Sequence, residues 1–170
     1  MKSMQPQEWA QYALSDEVDF NQVKLIDEVE FKVFLLPYQL LCMRSLQSEI
    51  GSDIPVDCKS KAGDFMIFNY QVNILRDTDP RINGNIGISA SDFTLFNSDG
   101  DSISCGLFHA ETMAFGNQMR MSIGFDTAGF FNGANSFNLS LDNKNLKIGD
   151  VRFKFDSETI TESPAITFNN

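Results

Sequence analysis

The sequence predicts an antiparallel β-sandwich, and three observations carry that expectation. Apolar side chains recur at every second residue in most segments, a period that lays them along one face of a strand and that no helix reproduces. Seven or more such runs follow one another at roughly 8 to 12-residue spacing, separated by Gly, Pro, Asn and Asp clusters. The chain also carries 16 Phe against three Tyr and one Trp, and large rings suit a pleated, half-buried surface. No helical segments alternate with the strands, so a parallel α/β sheet is excluded, and no fixed-period repeat points to a propeller or solenoid.

Taken in chain order, residues 3–14 place Pro6 where a first helical turn accepts it, and Trp9, Tyr12 and Ala13 fall on one helical face. A short N-terminal helix is expected there, within an arm covering 1–27 that precedes a sandwich domain at 28–170. Residues 29–36 alternate Val29, Phe31, Val33 and Leu35 against Glu30 and Lys32, and Pro37 ends the strand. Residues 38–46 fit a helical stripe or a further strand, with strand preferred, and 50–61 has loop chemistry. The clearest strand is 64–75, with Met66, Phe68, Tyr70, Val72 and Ile74 on one side and Asn69, Gln71 and Asn73 on the other; Phe65 and Ile67 mark it as central. A turn is expected at 77–84. Shorter strands are predicted at 86–90, 93–96, 102–107, 118–126, 136–141, 151–155 and 165–168.

The runs 64–74 (DFMIFNYQVNI), 91–100 (SDFTLFNSDG), 119–125 (MRMSIGF), 137–141 and 151–155 resemble the immunoglobulin-like domain of uncharacterised bacterial lipoproteins and secreted antigens. The similarity covers about 29–155. It implies an immunoglobulin-like antiparallel β-sandwich acting as an extracellular accessory or binding module, and it supplies no catalytic residues. The chain departs from the family in its distinctive insertion at 38–58 and in showing no leader or lipid-attachment cysteine near its start. If Met1 is the native start, a cytoplasmic protein is expected; if a leader is removed, an extracellular or lipid-anchored one.

At 170 residues one domain suffices, and 42% hydrophobic with 21% charged residues is an ordinary globular balance. A formal net charge of -10 argues against nucleic acid as partner, because phosphate binding needs clustered Lys and Arg. It equally disfavours anionic membrane surfaces, and no run reaches the roughly 20 apolar residues of a membrane span, so no membrane insertion is expected. Cys42, Cys58 and Cys105 are an odd set, so complete internal pairing is impossible. Three reduced thiols, or a Cys42–Cys58 disulfide in an exported form, are the alternatives.

No catalytic residues, metal or cofactor can be assigned. His109 is the sole histidine, and neither it nor Cys105 sits in a nucleophile-elbow signature; a loop or strand-end position is expected for it. A zinc site from the three cysteines and His109 lacks the close Cys-x-x-Cys pair that such sites use. Asp99 and Asp101 are the alternative candidates as calcium ligands, but Asp99-Gly100 is better explained as a hairpin turn. In the long connection at 126–135, Phe130, Phe131 and Asn132 are the candidate binding residues if the loop is an exposed aromatic tip; the preferred reading has both rings folded back to plug the sandwich end. The function expected from this pattern is a non-enzymatic protein-binding or adhesion-type module. The alternative is a small acidic inhibitor or immunity-type protein that neutralises a basic protein partner.

Overall fold

The computed structural model describes residues 3–15, 18–36, 64–83, 86–112, 117–130, 133–158 and 165–166. Its strands are β1 (Ser3–Met4), β2 (Asn21–Ile26), β3 (Val29–Leu36), β4 (Phe65–Ile74), β5 (Phe93–Asn97), β6 (Ser102–Ser104), β7 (Leu107–Thr112), β8 (Gln118–Asp126), β9 (Ser136–Asp142), β10 (Asp150–Asp156) and β11 (Ala165–Ile166). Helix α1 spans Pro6–Ala13 and a single turn, α2, spans Pro80–Asn83. A five-stranded sheet in the order β2-β3-β4-β8-β7 packs on a four-stranded sheet in the order β10-β9-β5-β6, and β1 pairs with β11 apart from them. All pairs within the two large sheets are antiparallel. The expected all-β sandwich with a short N-terminal helix is the architecture found.

Alternation decides what lies between the layers. Met66, Phe68, Tyr70, Val72 and Ile74 of β4 point inward and are buried, as do Val29, Phe31, Val33 and Leu35 of β3. They meet Phe137, Leu139 and Leu141 of β9 and Val151, Phe153 and Phe155 of β10 in one core. Rings dominate the contact: Phe68 lies 6.0 Å from Phe125 and 5.5 Å from Phe155, which stacks on Phe137 at 5.2 Å. Edge-on and offset contacts of this kind suit the ring quadrupole and account for the phenylalanine-rich composition.

Three stretches differ from what the sequence suggested. Residues 86–90, expected as a strand, are irregular because Gly87 takes a left-handed φ of 62° and Ser89 caps a 3-10 turn at Ala90–Asp92, its amide donating to Asp92 Oδ2 at 2.9 Å. Residues 102–107, expected as one strand, are two. Ile103 faces inward on β6 while Phe108 and Ala110 face inward on β7, so the inward phase changes from odd to even positions as the chain crosses between sheets at Cys105-Gly106. Strand β2, in the stretch assigned to an arm, went unseen because most of its side chains are exposed. Its hairpin uses Asp27 and Glu28 at φ 48° and 60°, where the usual signal is Asn-Gly. The same stretch contributes Trp9, Ala13 and Phe20, all fully buried, to the core.

The edge between layers is closed from β2. Gln22 Nε2 donates to the Lys154 carbonyl at 2.7 Å, and Lys24 donates to the Arg152 carbonyl with its ammonium 5.2 Å from the centre of the Phe153 ring. These bonds occupy backbone acceptors on the β10 edge that would otherwise invite another strand. At one end, Arg81 grips the buried Asp79 through two parallel bonds of 2.9 and 2.5 Å and also donates to the carbonyls of Asp27 and Leu146, each at 3.0 Å. One guanidinium thus ties the β2–β3 turn, the segment after β4 and the β9–β10 loop together. The Arg81 hydrogen bonds lower the Asp79 carboxyl pKa to about 2.

Candidate functional site: the outer face of the five-stranded sheet

Because successive side chains alternate, the strands that build the core also present a second face, and on the five-stranded sheet that face is hollow. The depression measures about 440 Å³ and draws its lining from all five strands. Strand register organises it into rows. Asn21, Phe34, Asn69, Ser122 and His109 stand opposite one another across β2-β3-β4-β8-β7. The adjacent row holds the exposed Val23, then Lys32, Gln71, Arg120 and Glu111. Val33, Tyr70 and Met121, whose side chains face inward, complete the lining of the hollow.

Few of these side chains are tied to one another. The Ser122 hydroxyl donates to Asn69 Oδ1 at 3.3 Å, and Lys32 pairs with Glu30 at 3.0 Å. Asn21, Gln71, His109, Glu111 and Arg120 have no side-chain hydrogen-bond or ion-pair partner among the described residues. Beyond the hollow the face turns apolar: Leu36, Ile67, Gly124 and Leu107 form the next row, and the Phe65 ring covers Gly124 so closely that a Cβ there would sit 2.8 Å from Phe65 Cε1.

His109 therefore stands mid-strand on β7, not at the strand end or loop expected for it, and it faces Ser122 directly across the β7–β8 pair. That hydroxyl is directed to Asn69 and not to the imidazole. Cys105, four residues earlier, is half-buried; burial pushes its thiol pKa up, and the thiol hydrogen-bonds the Leu107 carbonyl at 2.9 Å. Cys42 and Cys58, and the segment 38–58, lie outside the described residues.

The other candidates fall elsewhere. Phe130 is buried in the core, and its carbonyl accepts a bond from the buried Asn97 Nδ2 at 3.0 Å. Phe131 and Asn132 lie outside the described residues. Asp99 and Asp101 are exposed on the β5–β6 turn, where Gly100 has φ 93° and the amides of both aspartates donate to Asn97 Oδ1 at 3.0 and 2.9 Å. Among the described residues no three His, Cys, Asp or Glu side chains cluster closely enough to hold a metal ion. Asn97, which organises both this turn and the Phe130 loop, escaped the sequence reading, since a lone Asn ending an apolar run gives no signal beyond a turn.

No protein-family model matches the chain, and no curated protein matches it. Among solved structures it is similar to the crystal structure of a DUF4426 family protein from Pseudomonas aeruginosa, at 11% sequence identity and a TM-score of 0.40, over 81% of this chain and 93% of that one. Among the described residues no helix is long and apolar enough to cross a membrane.

Proposed function

We propose that the chain is a non-enzymatic, adhesion-type binding module that engages its partner through the hollow on the five-stranded sheet. The observation that carries this is the set of five polar side chains, Asn21, Gln71, His109, Glu111 and Arg120, which face one concavity on a rigid sheet without partners of their own among the described residues. A concave surface with a few convergent polar groups is the usual form of a binding site.

An immunoglobulin-like assignment goes with it. The orders β3-β4-β8-β7 and β6-β5-β9-β10 match the A-B-E-D and C-F-G orders of immunoglobulin sandwiches, with β2 and β6 as added edges. An extracellular binding role is what the resemblance to the domains of bacterial lipoproteins and secreted antigens implies. Two features support a role without catalysis. Among the described residues Glu111 is the sole carboxylate lining the hollow, where glycoside hydrolysis uses two, and Ser122 makes no bond to His109. The competing inhibitor reading calls for an acidic interface, and Lys32 and Arg120 set against Glu111 do not supply one.

The test is partner capture from an extract of the source cells with the full chain, the double variant Gln71→Ala/Arg120→Ala and the opposite-face control Arg152→Ala. Capture lost in the first variant and retained in the control is expected. An unchanged set of captured molecules across all three overturns the proposal.

A further inference from the structure

The chemistry of the hollow narrows its ligand, and this step rests on the binding role proposed above. We infer that it takes a neutral, polyhydroxylated chain, a short oligosaccharide lying across the strands. The lining mixes donors and acceptors: the amides of Asn21, Asn69 and Gln71 each offer both, as do Ser122 and His109. Sugar hydroxyls also donate and accept, so they match this inventory, whereas an inorganic anion calls on donors alone and an ammonium or guanidinium group on acceptors alone.

The charges in the hollow balance locally. Lys32 is held by Glu30 at 3.0 Å, and Arg120 stands directly opposite Glu111 across the β7–β8 pair. An anion-binding site would instead present unopposed cations. A protein partner generally needs a cluster of apolar anchors at the centre of its interface. Exposed Val23, Leu25 and Leu107 sit on the edge strands β2 and β7 outside the hollow, and its central row offers one ring among the described residues, Phe34, half-buried between Asn21 and Asn69. A single ring flanked by amides suits the C–H face of one sugar while its hydroxyls reach the neighbours.

Shape agrees. Two rows of side chains drawn from five strands make a trough running across the strands, roughly 19 Å long at about 4.8 Å per strand. That step is close to the advance of one sugar ring along a glycan, so successive units meet successive strands. A volume of about 440 Å³ has room for a short oligosaccharide.

The experiment is affinity electrophoresis of the full chain through gels containing neutral polysaccharides (glucans, mannans and galactans), with dextran sulfate as the anionic probe. Titration with chitin-derived and other neutral oligosaccharides follows. Retardation by at least one neutral glycan is expected, at both low and high salt. Phe34→Ala, Asn69→Ala and Gln71→Ala each weaken it roughly five- to tenfold, and Arg152→Ala leaves it unchanged. Thermal midpoints near wild type show that these variants fold. Binding to no neutral glycan, or only to dextran sulfate with steep salt dependence, overturns the inference, as does glycan binding that ignores all three substitutions. If hollow variants abolish capture of a protein while no glycan binds, the binding face stands and its assigned ligand falls. If they change neither, both fail.

Discussion

Strand β4 separates two regions made by one stretch of ten residues. Inward, Phe68 and Tyr70 are nearly sealed from solvent among other rings; outward, Asn69 and Gln71 stand in the hollow. The outer face of the four-stranded sheet is the second point of comparison. There Asp150 accepts from Arg152 Nε at 2.5 Å and from the Ser140 hydroxyl, and the Arg152 guanidinium lies 5.0 Å from the centre of the Phe96 ring. Asp150 thus holds Ser140 and Arg152 in one network on that face, whereas the polar side chains lining the hollow share a single bond among the described residues, from Ser122 to Asn69. Hydrogen-bonding capacity held open in a concave surface is the feature that supports the binding role proposed above.

The sharpest way to break the comparison is to cut on both sides of β4. Phe68→Ala removes a fully buried ring from contact with Phe125, Phe137 and Phe155. We expect it to cost about 3–5 kcal/mol in urea unfolding. Gln71→Ala, three residues on and facing outward, is expected to change stability by less than about 0.5 kcal/mol. Comparable losses would mean the hollow is structural.

The end clamp comes next. Because the folded-state pKa of Asp79 is depressed to about 2, its ionised form stabilises the fold above the ordinary aspartate range, and that contribution is lost as pH falls from about 4 toward 2. Asp79→Asn should be less stable than wild type at neutral pH, with the gap closing across that acid window. A gap independent of pH, followed by unfolding midpoints at each pH, would show that the carboxylate charge is not what Arg81 holds.

Tyr70 has the opposite problem. Its hydroxyl is buried without a hydrogen-bond partner among the described residues, and burial together with the nearby Asp150 carboxylate pushes its pKa far above the usual tyrosine value. An orphaned buried hydroxyl is destabilising, so Tyr70→Phe should raise stability by roughly 1 kcal/mol. A loss on chemical denaturation would mean that the hydroxyl has a bonding role.

How much of this was legible follows from the same physics. Strands β3, β4, β8, β9 and β10 were readable because one face of each is buried, which writes the period into the residues. Strand β2 was not, since Gln22 and Lys24 on its inward side bond the β10 edge and never enter the core. The sheet change at Cys105-Gly106 was hidden because a phase shift looks like alternation when only a few residues are seen. The hollow itself left no motif. Its members are ordinary outward residues of five strands, and only register, which depends on β2 and β7, brings Asn21 and His109 into one row with Asn69. Aromatic loop residues drew attention instead, and Phe130 proves to be part of the core.

The smallest expected effect separates the two outer faces most cleanly. Arg152→Ala deletes an exposed ion pair and a cation–π contact, each worth at most about 1 kcal/mol, so a loss of roughly 0.5–1 kcal/mol is expected. Arg120→Ala deletes no such contact among the described residues and should leave stability within about 0.5 kcal/mol of wild type. Binding should respond the other way, with Arg120→Ala weakening it and Arg152→Ala having no effect. Unfolding midpoints and ligand titrations on the same two proteins give a crossed result if one arginine serves the fold and the other serves the partner. Two arginines that move both readouts together would erase the distinction between the faces, because a surface whose charges all act alike carries no mark of a site.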